Sequence, residues 1–151
     1  MLKLALLASA VISDQDLLAT VLTLEDNSRQ GMEAIAEVIY NRAGHNPEKV
    51  REVLLKRYQF SCLNPHTIHH GSLVSLVRRA RSRSNWRAAS KIARNTLAGK
   101  VQGHVKNANH YHVYRNKSKV TPYWTHPKLG GKNPHAKIVT YIGDHVFLYL
   151  K

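Results

Sequence analysis

Acidic side chains, cysteine and long apolar runs are the scarce features of this 151-residue chain. A single cysteine, Cys62, excludes an internal disulfide framework and any zinc site built on several thiolates. No apolar run approaches the roughly 20 residues that a helix needs to cross a bilayer. Nine Asp and Glu stand against 23 Lys and Arg, for a net charge of +14. The shortage of acid is uneven. Residues 1–57 hold seven Lys and Arg against eight Asp and Glu, whereas residues 58–151 hold sixteen against one, Asp144. Chemistry that requires a carboxyl group must therefore draw on the N-terminal part or on Asp144. The cationic second part sets up a field that attracts a polyanion, be it nucleic acid, an anionic cell envelope or a wall polymer. A merely solvated surface is the plainer alternative.

What is present suffices for a globular fold: 43% of residues are hydrophobic and 21% charged, and the length suits one domain. Residues 1–12, with Lys3 ahead of the apolar stretch Leu4 to Ile12, form either a short signal-like segment or a helix packed on the domain that follows. Residues 13–151 are expected to form a single catalytic domain. Ser13 followed by Asp14 and Asp16 reads as a helix cap, and Leu17, Leu18, Val21, Leu22 and Leu24 repeat at helical period to Glu25. A polar loop from Asp26 to Gly31 leads to a helix from about Gln30 to Arg42, closed by Gly44. Asn46-Pro47 opens a third helix to about Arg57. Two further helices are predicted over Ser72–Arg81 and Asn85–Leu97, the second stopped by Gly99. Asn109–Tyr114 and Lys137–Leu150 read as strands, the latter folded on itself at Gly143-Asp144. The expected class is α+β, helical first, with a small antiparallel sheet at the C-terminal end.

Glu25 is the residue with chemical promise. Positions four apart drift only about 40° around a helix, so Leu17, Val21 and Glu25 share a stripe. Glu25 thus falls within the apolar sector, away from a polar side expected to carry Asp16, Thr20 and Thr23. Burial and a helix C-terminus both disfavour the carboxylate anion, which is how a Glu stays protonated and serves as a general acid. The alternative is that the helix frays and Glu25 turns to water.

In order along the chain stand Glu25 at the end of an apolar helix, the Gly31 loop, Asn41-Arg42, Gln59-Phe60-Ser61, Ala93-Arg94 to Ala98-Gly99, Asn109-His110-Tyr111-His112, Pro122-Tyr123-Trp124, and Ile142-Gly143 with His145 and Phe147. Over residues 16–149 this succession resembles the SleB-type cell-wall hydrolases, whose best-known members are spore-cortex-lytic enzymes. The resemblance implies a lysozyme-like fold and a lytic transglycosylase that cuts peptidoglycan between N-acetylmuramic acid and N-acetylglucosamine, with Glu25 as the catalytic acid. Two departures stand out. Asp26 takes a place where relatives carry a small residue, with no second Glu before Gly31, and Leu148 stands where Tyr is common.

With one acid, the muramic C6 hydroxyl serves as nucleophile and the product is a 1,6-anhydro sugar, with no metal or cofactor required. Asp26 is the neighbour that would convert this to hydrolysis. Tyr111, Tyr123 and Trp124 suit stacking on sugar faces, and Gln59 and Ser61 suit hydrogen bonds to N-acetyl groups. Asn41 sits at a helix end, where it would orient substrate or cap carbonyls. Phe60 reads as core more than as a ligand contact, and His110 and His145 enter through motif position. The expected partners are peptidoglycan and an anionic envelope surface, with a monomer acting at the bacterial wall or periplasm. Delivery is expected by the N-terminal segment or by release during phage lysis. Two other classes compete. Zinc held by His110, His112 and His145, or by His66, His69 and His70, would make a peptidase or amidase. Arg78, Arg79, Arg81, Arg83, Arg87, Lys91 and Arg94 would make a nucleic-acid-binding module.

Overall fold

The computed structural model describes residues 12–56, 59–63, 73–114 and 121–151. The signal-like stretch lies almost wholly outside them, as do His66, His69 and His70. Helix α1 runs Asp14–Glu25, started by the Ser13 hydroxyl accepting from the Asp16 N–H at 3.1 Å with two acidic residues in its first turn. Every residue from Leu17 to Thr23 is buried, which corrects the expected polar side. Thr20 is fully inside because its hydroxyl donates to the Asp16 carbonyl at 2.7 Å, and Thr23 is buried with it. The reason is tertiary: α2 (Arg29–Arg42), α3 (Val50–Leu55), α4 (Leu73–Arg81) and α5 (Trp86–Leu97) all pack on α1. A helix buried on all sides stands at the centre of a bundle. Leu17, Leu18, Val21 and Leu22 have no solvent exposure, and truncating any one of the leucines would cost about 2–5 kcal/mol. Glu25 therefore stands on the central helix of the described residues.

Helix α2 begins at Arg29, with the Ser28 hydroxyl accepting from the Gly31 N–H at 3.0 Å. Gly31 thus belongs to the first helical turn and not to the loop. A Cβ there would meet the Asp26 carboxyl carbon at 2.3 Å, so the missing side chain is what lets Asp26 lie against α2. The third helix opens as a short 3₁₀ turn, Pro47–Lys49, with Asn46 capping Glu48, and continues as α3 to Leu55.

The strands β1 (His110–Val113), β2 (Lys137–Ile142) and β3 (His145–Tyr149) form an antiparallel sheet in the order β1-β3-β2. The β2–β3 turn is at Gly143-Asp144 as predicted, and one extra residue interrupts the ladder between Ile138 and Thr140. Tyr111 opposes Phe147 and Val113 opposes His145, whereas His110 opposes Leu148 and His112 opposes Val146. Side chains alternate across a pleated strand, so the sheet has two faces of different character. The inner one carries Tyr111 and Phe147 into the helical core. The outer one carries Val146 and Leu148 into a second, smaller core with Ala136, Trp124, Leu129, Ile138 and Leu150. Together the helices and this sheet make the α+β class expected.

Candidate active site

Glu25 ends α1 as a half-buried residue, and the end of that helix is fastened. Asp26 is its extended C-cap, donating its N–H to the Leu22 carbonyl, and the Asn85 amide donates to the carbonyls of Thr23 and Asp26 at 3.1 Å each. Tyr111 reaches the carboxyl group from β1: its hydroxyl donates to Glu25 Oε2 at 3.0 Å. Burial, then the charge of Glu25 and the hydrogen bond to it, push the Tyr111 phenol well above its ordinary range. Tyr111 is therefore a proton-bearing donor at any working pH. Its ring is stacked on Phe147 at 5.8 Å and edge-on to His145 at 5.4 Å, so the phenol approaches the acid from one direction only. Cys62, on the 3₁₀ turn Ser61–Leu63, lies within hydrogen-bonding reach of Glu25. Burial and then Glu25 raise its thiol to about 12, keeping it neutral.

Asp26 is committed elsewhere. Its Oδ1 accepts from the Ser28 N–H at 2.6 Å and from the Ser28 hydroxyl at 2.8 Å. Its Oδ2 lies 3.1 Å from Nδ1 of the buried His145, off the line of a straight hydrogen bond. Burial alone would raise the Asp26 carboxyl, but His145 and Ser28 outweigh it and hold it below the ordinary value of 3.8. A carboxylate kept ionised by His145 and the start of α2 is a structural anchor one residue from the catalytic candidate.

Arg42, named in the motif order but given no role there, is brought beside the site by the fold. Its Nε donates to the Asn109 carbonyl, its Nη1 donates to Gln59 Oε1 at 2.9 Å, and its guanidinium lies 5.9 Å from the centre of the Phe60 ring. Burial lowers its pKa, opposed by Tyr111. It has no carboxylate partner among the described residues. One side chain thus ties the end of α2, the Gln59-Phe60 turn and the approach to β1 around the site. The pairing of Asn41-Arg42 with Gln59-Phe60 in the motif order was the available signal. Asn41 donates its amide not to its own helix end but to the carbonyls of Lys106 and Ala108, ahead of β1, at 2.8 Å each, while Oδ1 meets His45 Nε2. Phe60 is core, 2% exposed. Ser61 opens its 3₁₀ turn.

His110 and His112 are on the outer face, both against Trp124, at 5.2 and 5.5 Å between ring centres. Burial and then Arg42 pull His110 down to about 4, so it is neutral near pH 7. His112 meets the Val113 carbonyl through Nδ1 and the Thr125 hydroxyl through Nε2, both at 2.9 Å. The carbonyl can only accept, so Nδ1 carries the proton and Nε2 receives one from Thr125. Tyr123 is 77% exposed. The pleat sets His145 on the face opposite His110 and His112, so that trio cannot ligate one ion. Among the described residues, no three His, Cys, Asp or Glu side chains converge as a metal-ligand set.

A family model described as cell wall hydrolase matches residues 26–148. The chain belongs to the cell wall hydrolase family. No curated protein and no solved structure matches it. As a cell wall hydrolase it degrades peptidoglycan, and the wall is where it acts. No helix among the described residues is long and apolar enough to cross a membrane. The matched span opens at Asp26, so the assignment of Glu25 within this cell wall hydrolase rests on its position at the end of α1 and on Tyr111.

Proposed function

We propose that this cell wall hydrolase is a lytic transglycosylase of lysozyme-like fold that uses Glu25 as its only acid and base. The observation that carries the reading is the Tyr111 hydroxyl on Glu25 Oε2. Glu25 starts the reaction carrying the proton to be transferred, on a carboxyl group that the Tyr111 hydroxyl holds in place. That proton goes to the leaving glycosidic oxygen as the bond from the muramic C1 breaks, leaving an oxocarbenium-like carbon. The C6 hydroxyl of the same sugar then bonds to C1, and the Glu25 carboxylate takes the hydroxyl proton. The products are a free 4-hydroxyl on the leaving sugar and a 1,6-anhydro end, and no water is consumed. Asp26, hydrogen-bonded to Ser28 and facing His145, does not enter as a second carboxylate. Residues 13–151 work in this reading as one catalytic unit and as a monomer.

General acid catalysis contributes about 10²–10⁴ in rate. Glu25→Gln keeps the shape and removes the transferable proton, so clearing of purified sacculi should slow by about a hundredfold or more with the thermal transition retained. A folded Glu25→Gln protein clearing within threefold of the native rate refutes the assignment.

A further inference from the structure

The proposal below rests on the transglycosylase reading for its choice of partner. Helix α5 buries Ala89, Ile92, Ala93 and Thr96, and its opposite side presents Arg87, Lys91 and Arg94, all exposed. Their spacing of four and three residues puts them on one stripe, about 10 Å long at 1.5 Å per residue. Arg83 in the preceding turn and Arg78 and Arg79 on α4 are exposed as well. None of these six cations forms an ion pair among the described residues. Other arginines do: Arg29 with Glu33, Arg51 with Asp14, and Arg81 with Asp16. Between Glu52 and Asp144 the chain supplies no carboxylate that would neutralise the six. Like charges gathered on one helical hairpin repel one another, and an external polyanion relieves that repulsion.

The position of the hairpin adds what charge alone lacks. Asn85, between Arg83 and Arg87, is the residue whose amide holds the carbonyls of Thr23 and Asp26. The basic stripe therefore starts at the clamp on the end of α1, beside Glu25. Five of the six cations are arginine, whose planar fork matches phosphate oxygens in pairs. The one aromatic residue of the hairpin, Trp86, is half-buried and lies 5.9 Å from the Arg81 guanidinium, so the face has no free platform for stacking bases. From these observations we infer that the outer face of α4–α5 docks a base-free phosphodiester polymer attached to the wall, holding the glycan strand near Glu25.

The test compares the full native chain with an Arg87→Gln, Lys91→Gln, Arg94→Gln triple variant across a salt series. Three binding targets are used: purified walls that carry phosphodiester polymer, the same walls after hydrofluoric acid removes it, and duplex DNA. Cleavage of a short, polymer-free soluble glycan is measured alongside. The triple variant should bind intact walls at least tenfold more weakly at low salt, with a log K against log salt slope shallower by about 2. Binding to stripped walls and cleavage of the soluble glycan should be unchanged. Unchanged binding to intact walls overturns the inference. So does an equal loss on stripped walls, which would point to peptide carboxylates, or a loss confined to DNA. A fall in soluble-glycan cleavage also overturns it, since the face would then belong to the fold or the site. A native chain that leaves the soluble glycan uncut refutes the transglycosylase reading instead, and the comparison of intact with stripped walls still decides the docking face.

Discussion

His110, Tyr111 and His112 follow one another along β1, yet the middle residue and its neighbours live in different halves of the molecule. Tyr111 passes inward between His145 and Phe147 to hydrogen-bond Glu25. The two histidines turn outward to Trp124 and a small core of their own. The difference teaches that the sheet is a partition, with Glu25 and Tyr111 on its helical side and a packing layer on the other. Ring-bearing residues that look alike in the sequence are sorted by the pleat alone.

The sharpest way to break this comparison is Tyr111→Phe. Losing the hydrogen bond to the Glu25 carboxylate that forms as its proton leaves, worth about 1.5–3 kcal/mol, should lower the wall-clearing rate by about ten- to a hundredfold with little change in the melting temperature. An unchanged rate would remove Tyr111 from the site. Next, Gly31→Ala forces a methyl group onto the Asp26 carboxyl. Because Ser28 and His145 hold that carboxyl, we expect about 2 kcal/mol of destabilisation in urea unfolding, and a midpoint equal to native would contradict the packing. On the outer face, His112→Ala should cost about 1 kcal/mol of stability through its two lost hydrogen bonds and leave the rate within threefold. A rate loss as large as that of Tyr111→Phe would dissolve the distinction between the faces.

The smallest effect sharpens the comparison through pH. The Asp26 pKa is depressed in the folded protein, so its contribution to stability is present above the unfolded value of 3.8 and is lost as pH falls through the lower folded value. Asp26→Asn should therefore destabilise the protein at neutral pH, by an amount that shrinks below 3.8. Urea midpoints across pH 3 to 7 would check this, and a cost independent of pH would refute the ionised anchor.

Local patterns carried much of this fold in advance. The cap at Ser13, the end of α1 at Glu25, the Asn46-Pro47 start and the turn at Gly143 depend on neighbours within a few residues, and each is where the pattern placed it. The polar side expected for α1 failed because Thr20 and Thr23 are covered by helices distant in sequence, and Thr20 satisfies its hydroxyl on the backbone of its own helix. Arg42 was missed for a related reason: it bonds to residue 109, 67 positions away, and nothing local signals that contact. The separation of His145 from His110 and His112 is a matter of strand parity, which becomes readable only once β1 is known to pair with β3.

Asp26 bears on the central claim, because a carboxylate beside Glu25 would ordinarily invite two-acid hydrolysis, and its hydrogen bonds to Ser28 and its 3.1 Å contact with His145 engage both of its oxygens. Mass spectrometry of the sugars released from purified peptidoglycan measures the consequence directly. Muramic ends 18 mass units lighter than the hydrated sugar, present from the first turnovers, are the result expected of one-acid chemistry. Reducing muramic ends carrying oxygen from labelled water would contradict it.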